Sequence, residues 1–107
     1  MIRPQRLEAV QEALYDLDIY GLTVSEVRGM GRMRGITHTF RGSQYAQNLS
    51  PRLKLELVLN DEQVEDAVAA IRESAETGEI GDGKIFLIPV SDALRIRTGE
   101  RGRDALA

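Results

Sequence analysis

Three glycines and a lysine stand together in Thr77-Gly-Glu-Ile-Gly-Asp-Gly-Lys-Ile-Phe86, and two further cations follow in Arg95-Ile-Arg-Thr-Gly-Glu-Arg101. The chemistry such residues can do is to hold an anion. Glycines let backbone N–H groups converge on a phosphate, and Lys84 adds a point charge beside Gly81 and Gly83. Arg95 and Arg97 offer planar forks that match phosphate oxygens. The spacing Gly78, four residues, Gly83, Lys84 almost reproduces a P-loop. It is not one, because Ile85 stands where a Mg²⁺-binding Ser or Thr is required and the surrounding order reads helix–loop–strand. Any anion must therefore be held by loop amides and by cations from elsewhere instead of by a following helix N-terminus. The neutral reading of the same residues is a tight connection with a salt-bridged lysine, followed by arginines that solvate an edge strand.

Local patterns fix the elements that must position these groups. Leu7, Val10, Leu14 and Leu17 recur at helical spacing, so about Pro4 to Leu17 is expected as an amphipathic helix, with Pro4 in its first turn and Gly21 closing the turn beyond. Thr23–Arg28 alternates and is rich in β-branched residues, which predicts a strand. Leu53, Leu55, Leu57 and Leu59 point to one face of a second strand. Asn60 is suited to cap a helix over Asp61–Ala75, with acids in the first turn and Gln63 at the capping-box position. Val64, Ala67, Val68, Ile71 and Ala75 form the buried stripe of that helix. A helix ending at Thr77 would use Gly78 as its C′ residue. A strand over Ile85–Val90, a turn over Ser91–Leu94 and a C-terminal tail from about 95 to 107 complete the chain.

This order is a split βαβ pattern lacking its first strand, of which only Met1 and Ile2 remain. The natural chain is accordingly expected to begin several residues upstream. Between Gly29 and Ser50 periodicity disappears, and loops of that length inside a small domain are commonly functional. Gly29-Met-Gly31 is not a dinucleotide fingerprint, because Arg34 occupies the position of its third glycine.

A chain of 107 residues suits a single domain, here 1–107. It contains no cysteine, which excludes disulfides and thiol catalysis. No apolar run is long enough to span a membrane and no signal peptide opens the chain, so a cytoplasmic location is the default. Net charge is −3 but uneven: residues 28–54 carry +6 with no Asp or Glu, and residues 56–82 carry −8. That asymmetry points to an anionic partner. It leaves open a nucleic-acid-binding module built on residues 28–54, against which stand the low pI and the presence of only Phe40 and Tyr45 as stacking residues. A phosphate-transferring enzyme is disfavoured, since no base–nucleophile pair is visible: between Gly81 and Gly83 stands one acid, Asp82, with no Ser or Thr. His38, the sole histidine, has no second ligand nearby.

Four motifs together carry a resemblance: Gly29-Met-Gly-Arg-Met-Arg-Gly35, Phe40-Arg-Gly-Ser-Gln-Tyr45, the stretch Thr77–Phe86, and Arg95–Arg101. The chain resembles the PII nitrogen-signalling family over essentially its whole length. The resemblance implies a ferredoxin-like βαββαβ α+β domain, a homotrimer, and ATP or ADP bound between subunits with Mg²⁺ possible. It also implies a T-loop over about 31–50 that engages a target protein, such as an ammonium transporter or a nitrogen-metabolism enzyme. Contact with a membrane would then be indirect, through a channel partner, and no nucleic acid is expected. On this resemblance Gly81, Gly83, Lys84, Arg95 and Arg97 hold the phosphates. Thr23, Glu56 and Val58 line the base and ribose site, and Gly29, Gly31 and Arg32 lie where the loop base meets the nucleotide.

Three departures matter. Met33 replaces a glutamine that helps coordinate Mg²⁺ and so builds the family's oxoglutarate site, and a thioether is a poor ligand for a hard cation. Arg52 replaces an oxoglutarate-binding lysine, keeping the charge and changing its geometry. The family's modification motif Tyr-Arg-Gly-Ala-Glu-Tyr reads Phe-Arg-Gly-Ser-Gln-Tyr here, leaving Tyr45 as a nucleotidylation target and Ser43 at a position that some members phosphorylate. The protein is thus expected to read adenine nucleotide without the oxoglutarate response.

Overall fold

The structure, a computed structural model, describes residues 1–31 and 49–106. Pro4–Arg6 forms a single 3₁₀ turn that runs directly into α1 (Leu7–Tyr15). Proline suits that start, because its missing N–H is one that an N-terminus leaves unpaired in any case. Val10 and Leu14 of α1 are fully buried, and Leu7 and Leu17 pack against the same core. The turn that follows is made by Asp18, not by Gly21: Asp18 takes φ 59°, a conformation that Asp tolerates better than most residues. The Tyr20 hydroxyl donates to Asp18 Oδ1 at 2.8 Å.

β1 (Thr23–Gly29) and β2 (Ser50–Glu56) pair antiparallel in a register that sets Thr23 opposite Glu56 and Gly29 opposite Ser50. α2 (Asp61–Ala75) begins as its cap predicts, with the Gln63 side chain accepting from the Asn60 N–H at 3.1 Å. Ala67, Ile71 and Ala75 are buried, while Val64 and Val68 are half-buried at the margin. α1 and α2 pack together over β2, and Ile2, Ile19 and Leu53 complete the core. Leu55, Leu57 and Leu59 lie against it, as their alternation requires. Each large aliphatic side chain buried there contributes about 1.5–3 kcal/mol relative to exposure.

Two expectations need correction. α2 ends at Ala75 and Glu76 is already extended, so Gly78 is not its C′ residue, although it does take φ 86° in the loop beyond. The helix terminus is closed instead by Arg6, whose Nε and Nη2 donate to the Ser74 carbonyl at 2.9 and 2.5 Å. A guanidinium there satisfies a free carbonyl and opposes the negative end of the helix dipole.

The second correction concerns Ile85–Val90, which is not a strand. All of residues 83–90 are exposed, with Phe86 and Ile88 at 72% and 77%. The segment runs alongside β2, from Lys84 beside Met1 to Val90 and Ser91, which share a cavity with Val58 and Leu59. Ile2 exchanges two hydrogen bonds with Leu53, both 2.9 Å, and the Met1 amine donates to the Lys84 carbonyl at 3.0 Å. A strand exists only through its neighbours' hydrogen bonds, and this segment has a neighbour at Lys84 alone. Beyond it the chain folds back in a small hairpin, with Leu94 bridged to Arg101, and ends in a 3₁₀ turn over Gly102–Leu106.

Candidate functional site

The glycine loop is held in place by Asp82. Asp82 Oδ2 accepts from the backbone N–H groups of Thr77 at 2.8 Å and Gly78 at 2.9 Å. Oδ1 accepts from the Thr77 hydroxyl and from Arg3 Nε, the latter at 3.0 Å. Arg3 Nη2 also reaches the Ile80 carbonyl at 2.8 Å. These donors, the Thr77 hydroxyl foremost, hold the Asp82 carboxyl well below the usual carboxylate range. Gly78, Gly81 and Gly83 all take positive φ, at 86°, 102° and 112°. Gly83 is required for a second reason: a Cβ there would lie 1.8 Å from the Met1 carbonyl oxygen. The close approach that this glycine permits is to the chain's own first residue.

Because the Asp82 pKa is depressed in the folded state, its contribution to stability is present above the unfolded carboxylate value and is lost as pH falls. Urea unfolding across a pH series should show that loss beginning below about pH 4, and Asp82→Asn should flatten that limb. Parallel acid limbs in the two proteins would contradict it.

Lys84 has no ion pair among the described residues. Its neighbours gather around Met1. The Cβ position of Gly29 lies 3.8 Å from Arg52 Cγ and 3.9 Å from Met1 Cε, while Gly83 and Lys84 touch the Met1 backbone. Gly29, Arg52, Gly83 and Lys84 therefore share one end of the sheet. No atom of the described residues lies within 4 Å of a Cβ placed on Gly31, and the Arg52 Nη1 donates to the Pro51 carbonyl at 2.8 Å. Arg32, Met33, Ser43 and Tyr45 lie outside the described residues, as does most of the basic stretch 28–54.

The remaining predicted residues are at the opposite end. Thr23 and Glu56 pair six residues along the ladder from Gly29 and Ser50, a separation of about 20 Å at the rise of a β-strand. Val58 lines a cavity of about 320 Å³ with Asn60, Val90, Asp92, Gly102 and Arg103. The hairpin above it carries Arg95, whose Nη1 meets Glu100 Oε1 at 2.8 Å and whose Nη2 donates to the Asp104 carbonyl at 3.2 Å. Arg97 is exposed. The structure thus divides the predicted residues into two groups and does not bring them together within one chain. The sequence reading missed Arg3 and Met1 as parts of the loop, since nothing local links residues about eighty positions apart.

Two helices on one face of an antiparallel sheet, with a glycine loop at one end and an arginine hairpin at the other, make a small α+β domain consistent with a ferredoxin-like fold. Among the described residues no helix is long and apolar enough to cross a membrane. The family profile described as "Nitrogen regulatory protein P-II" matches residues 1–100. The chain is 48% identical over 106 residues to the Nitrogen regulatory protein P-II of Rhodospirillum rubrum, covering 99% of this chain and 95% of that one. It is 51% identical over 106 residues to Nitrogen regulatory protein P-II 2 of Methanothermobacter thermautotrophicus, covering 99% and 92%. Among solved structures it superposes on Arabidopsis thaliana PII bound to citrate with a TM-score of 0.80 at 44% identity, over 97% of this chain and 84% of that one. The chain belongs to the nitrogen regulatory protein P-II family, whose members are regulatory signal transducers.

Proposed function

We propose that this protein is a cytoplasmic regulatory sensor that binds ATP or ADP between copies of itself. Through its loop over about 31–50 it controls a target protein, such as an ammonium transporter or a nitrogen-metabolism enzyme. The observation that carries this reading is the division of the candidate site. Gly29, Gly81, Gly83 and Lys84 are at one end of the chain; Thr23, Glu56, Val58, Arg95 and Arg97 are at the other. A head-to-tail arrangement brings one end of a copy to the opposite end of the next, and such contacts close into rings. A homotrimer is the ring proposed. The exposed apolar side chains of Ile85, Phe86, Leu87, Ile88, Val90 and Ile96 give it surface to bury. Citrate in the Arabidopsis structure is compatible with small anionic effectors in this fold. Light scattering combined with calorimetry tests the proposal, with a nucleotide-binding trimer as the expected result. A stable monomer that binds ATP with full affinity would overturn it.

The oxoglutarate response is proposed to be lost, because Met33 offers sulfur where Mg²⁺ needs an oxygen ligand. Calorimetry of oxoglutarate into protein saturated with Mg-ATP is expected to show little heat, and Met33→Gln to restore binding. Micromolar binding by the unmodified protein would contradict this.

A further inference from the structure

An acid in the middle of an anion-binding loop is a liability. Asp82 stands between Gly81 and Gly83 and two residues before Lys84, where a bare carboxylate would repel the phosphate that these residues are proposed to hold. The structure shows how the charge is removed from the mouth of the loop. Both carboxylate oxygens turn inward, onto Thr77, Gly78 and the Arg3 guanidinium. The Arg3–Asp82 pair is partly buried, with side chains 15% and 23% exposed, so solvent screens it less than a fully exposed pair. Arg3 also holds the Ile80 carbonyl, which fixes the strand of loop leading into Gly81. Met1 secures the other side through Gly83 and Lys84.

We infer that Arg3 is a positioning residue for the phosphate loop: it neutralises Asp82 and fixes the backbone of residues 80–82, so that the loop presents a net positive face to the phosphates of a nucleoside di- or triphosphate. The inference rests on the nucleotide reading above. Arg3 does not touch the ligand in this scheme; Gly81, Gly83 and Lys84 do. Two roles are combined in one side chain, the charge on its guanidinium and the fork that spans Ile80 and Asp82. They separate under mutation. Lysine keeps the charge and loses the fork, whereas glutamine loses the charge.

The test is calorimetric titration of ATP and adenosine into the assembled protein and into Arg3→Gln, Arg3→Lys, Asp82→Asn and the double variant Arg3→Gln/Asp82→Asn, with thermal melts of each. Arg3→Gln should weaken ATP by roughly tenfold, the scale of one charge-assisted interaction, and leave adenosine unchanged. Arg3→Lys should retain most of the ATP affinity. The decisive variant is the double one: removing the Asp82 charge should recover most of what Arg3→Gln lost, even though it removes a second hydrogen-bonding partner. A purely structural role predicts the reverse, a double variant no better than Arg3→Gln and a parallel loss of adenosine, and that result would overturn the inference. So would ATP binding by Arg3→Gln within twofold of the parent. A parent protein that binds no ATP overturns the nucleotide reading and this inference with it, which keeps the two failures apart.

Discussion

Gly83→Ala is expected to lower the stability of the protein by about 2–4 kcal/mol, one of the larger effects open to a single methyl group. Two costs combine. At φ 112° the backbone lies outside the regions that a residue with a Cβ adopts without strain. The new methyl would also be built 1.8 Å from the Met1 carbonyl oxygen and 2.9 Å from its carbon, and both are main-chain atoms that cannot rotate away. Relief requires Met1 to move, which breaks the bond from its amine to Lys84 and loosens Ile2 from Leu53. Ile2 is 3% exposed, so its displacement opens the core. Gly78→Ala is the control. Its φ is 86°, but no atom lies within 4 Å of the methyl position, so only the conformational cost of about 1–2 kcal/mol applies. Urea denaturation of the two variants separates strain from collision, and equal losses would show that the Met1 contact is dispensable.

Lys84→Ala is expected to weaken ATP by about 1.5–3 kcal/mol, or roughly 10- to 150-fold, with little change in melting temperature. The asymmetry follows from the surroundings. The ammonium has no carboxylate partner among the described residues, so truncating it breaks no ion pair among them. What holds residue 84 in place is its carbonyl, which accepts from the Met1 amine and is unaffected by the side chain. Arg95 differs. It is engaged by Glu100 and by the Asp104 carbonyl, so Arg95→Ala would disturb the hairpin as well as any ligand. Calorimetry and a thermal melt on Lys84→Ala suffice. Unchanged ATP affinity would remove Lys84 from the proposed site.

What could be read from the sequence was whatever is decided within a few residues. The start and buried face of the helix Asp61–Ala75 were legible because Asn60 and Gln63 mark its cap and Ala67, Ile71 and Ala75 its stripe, whereas Gly78 suggested an end two residues too late. The β1–β2 pair was legible because alternation marks a half-buried strand. Ile85–Val90 has the composition of a strand and is not one, since pairing is a property of neighbours and not of the segment. The glycines of the loop were visible, but their reason was not. Gly83 is fixed by Met1, and Asp82 by Arg3, across a sequence separation that no local pattern spans. Likewise the motifs marked a set of candidate site residues, while their distribution between two ends of the molecule emerged only from the register of Thr23 with Glu56 and Gly29 with Ser50.

The exposed segment Ile85–Val90, with Ile96 beyond it, carries a thermodynamic consequence. Side chains as exposed as Phe86, Ile88 and Ile96, the last at 94%, contribute almost nothing to the stability of an isolated chain. In the proposed assembly the same side chains are withdrawn from water by other copies, so their contribution enters through mass action. Folding and association then become one equilibrium. The midpoint of unfolding depends on how much protein is in the tube, and dilution acts as a denaturant.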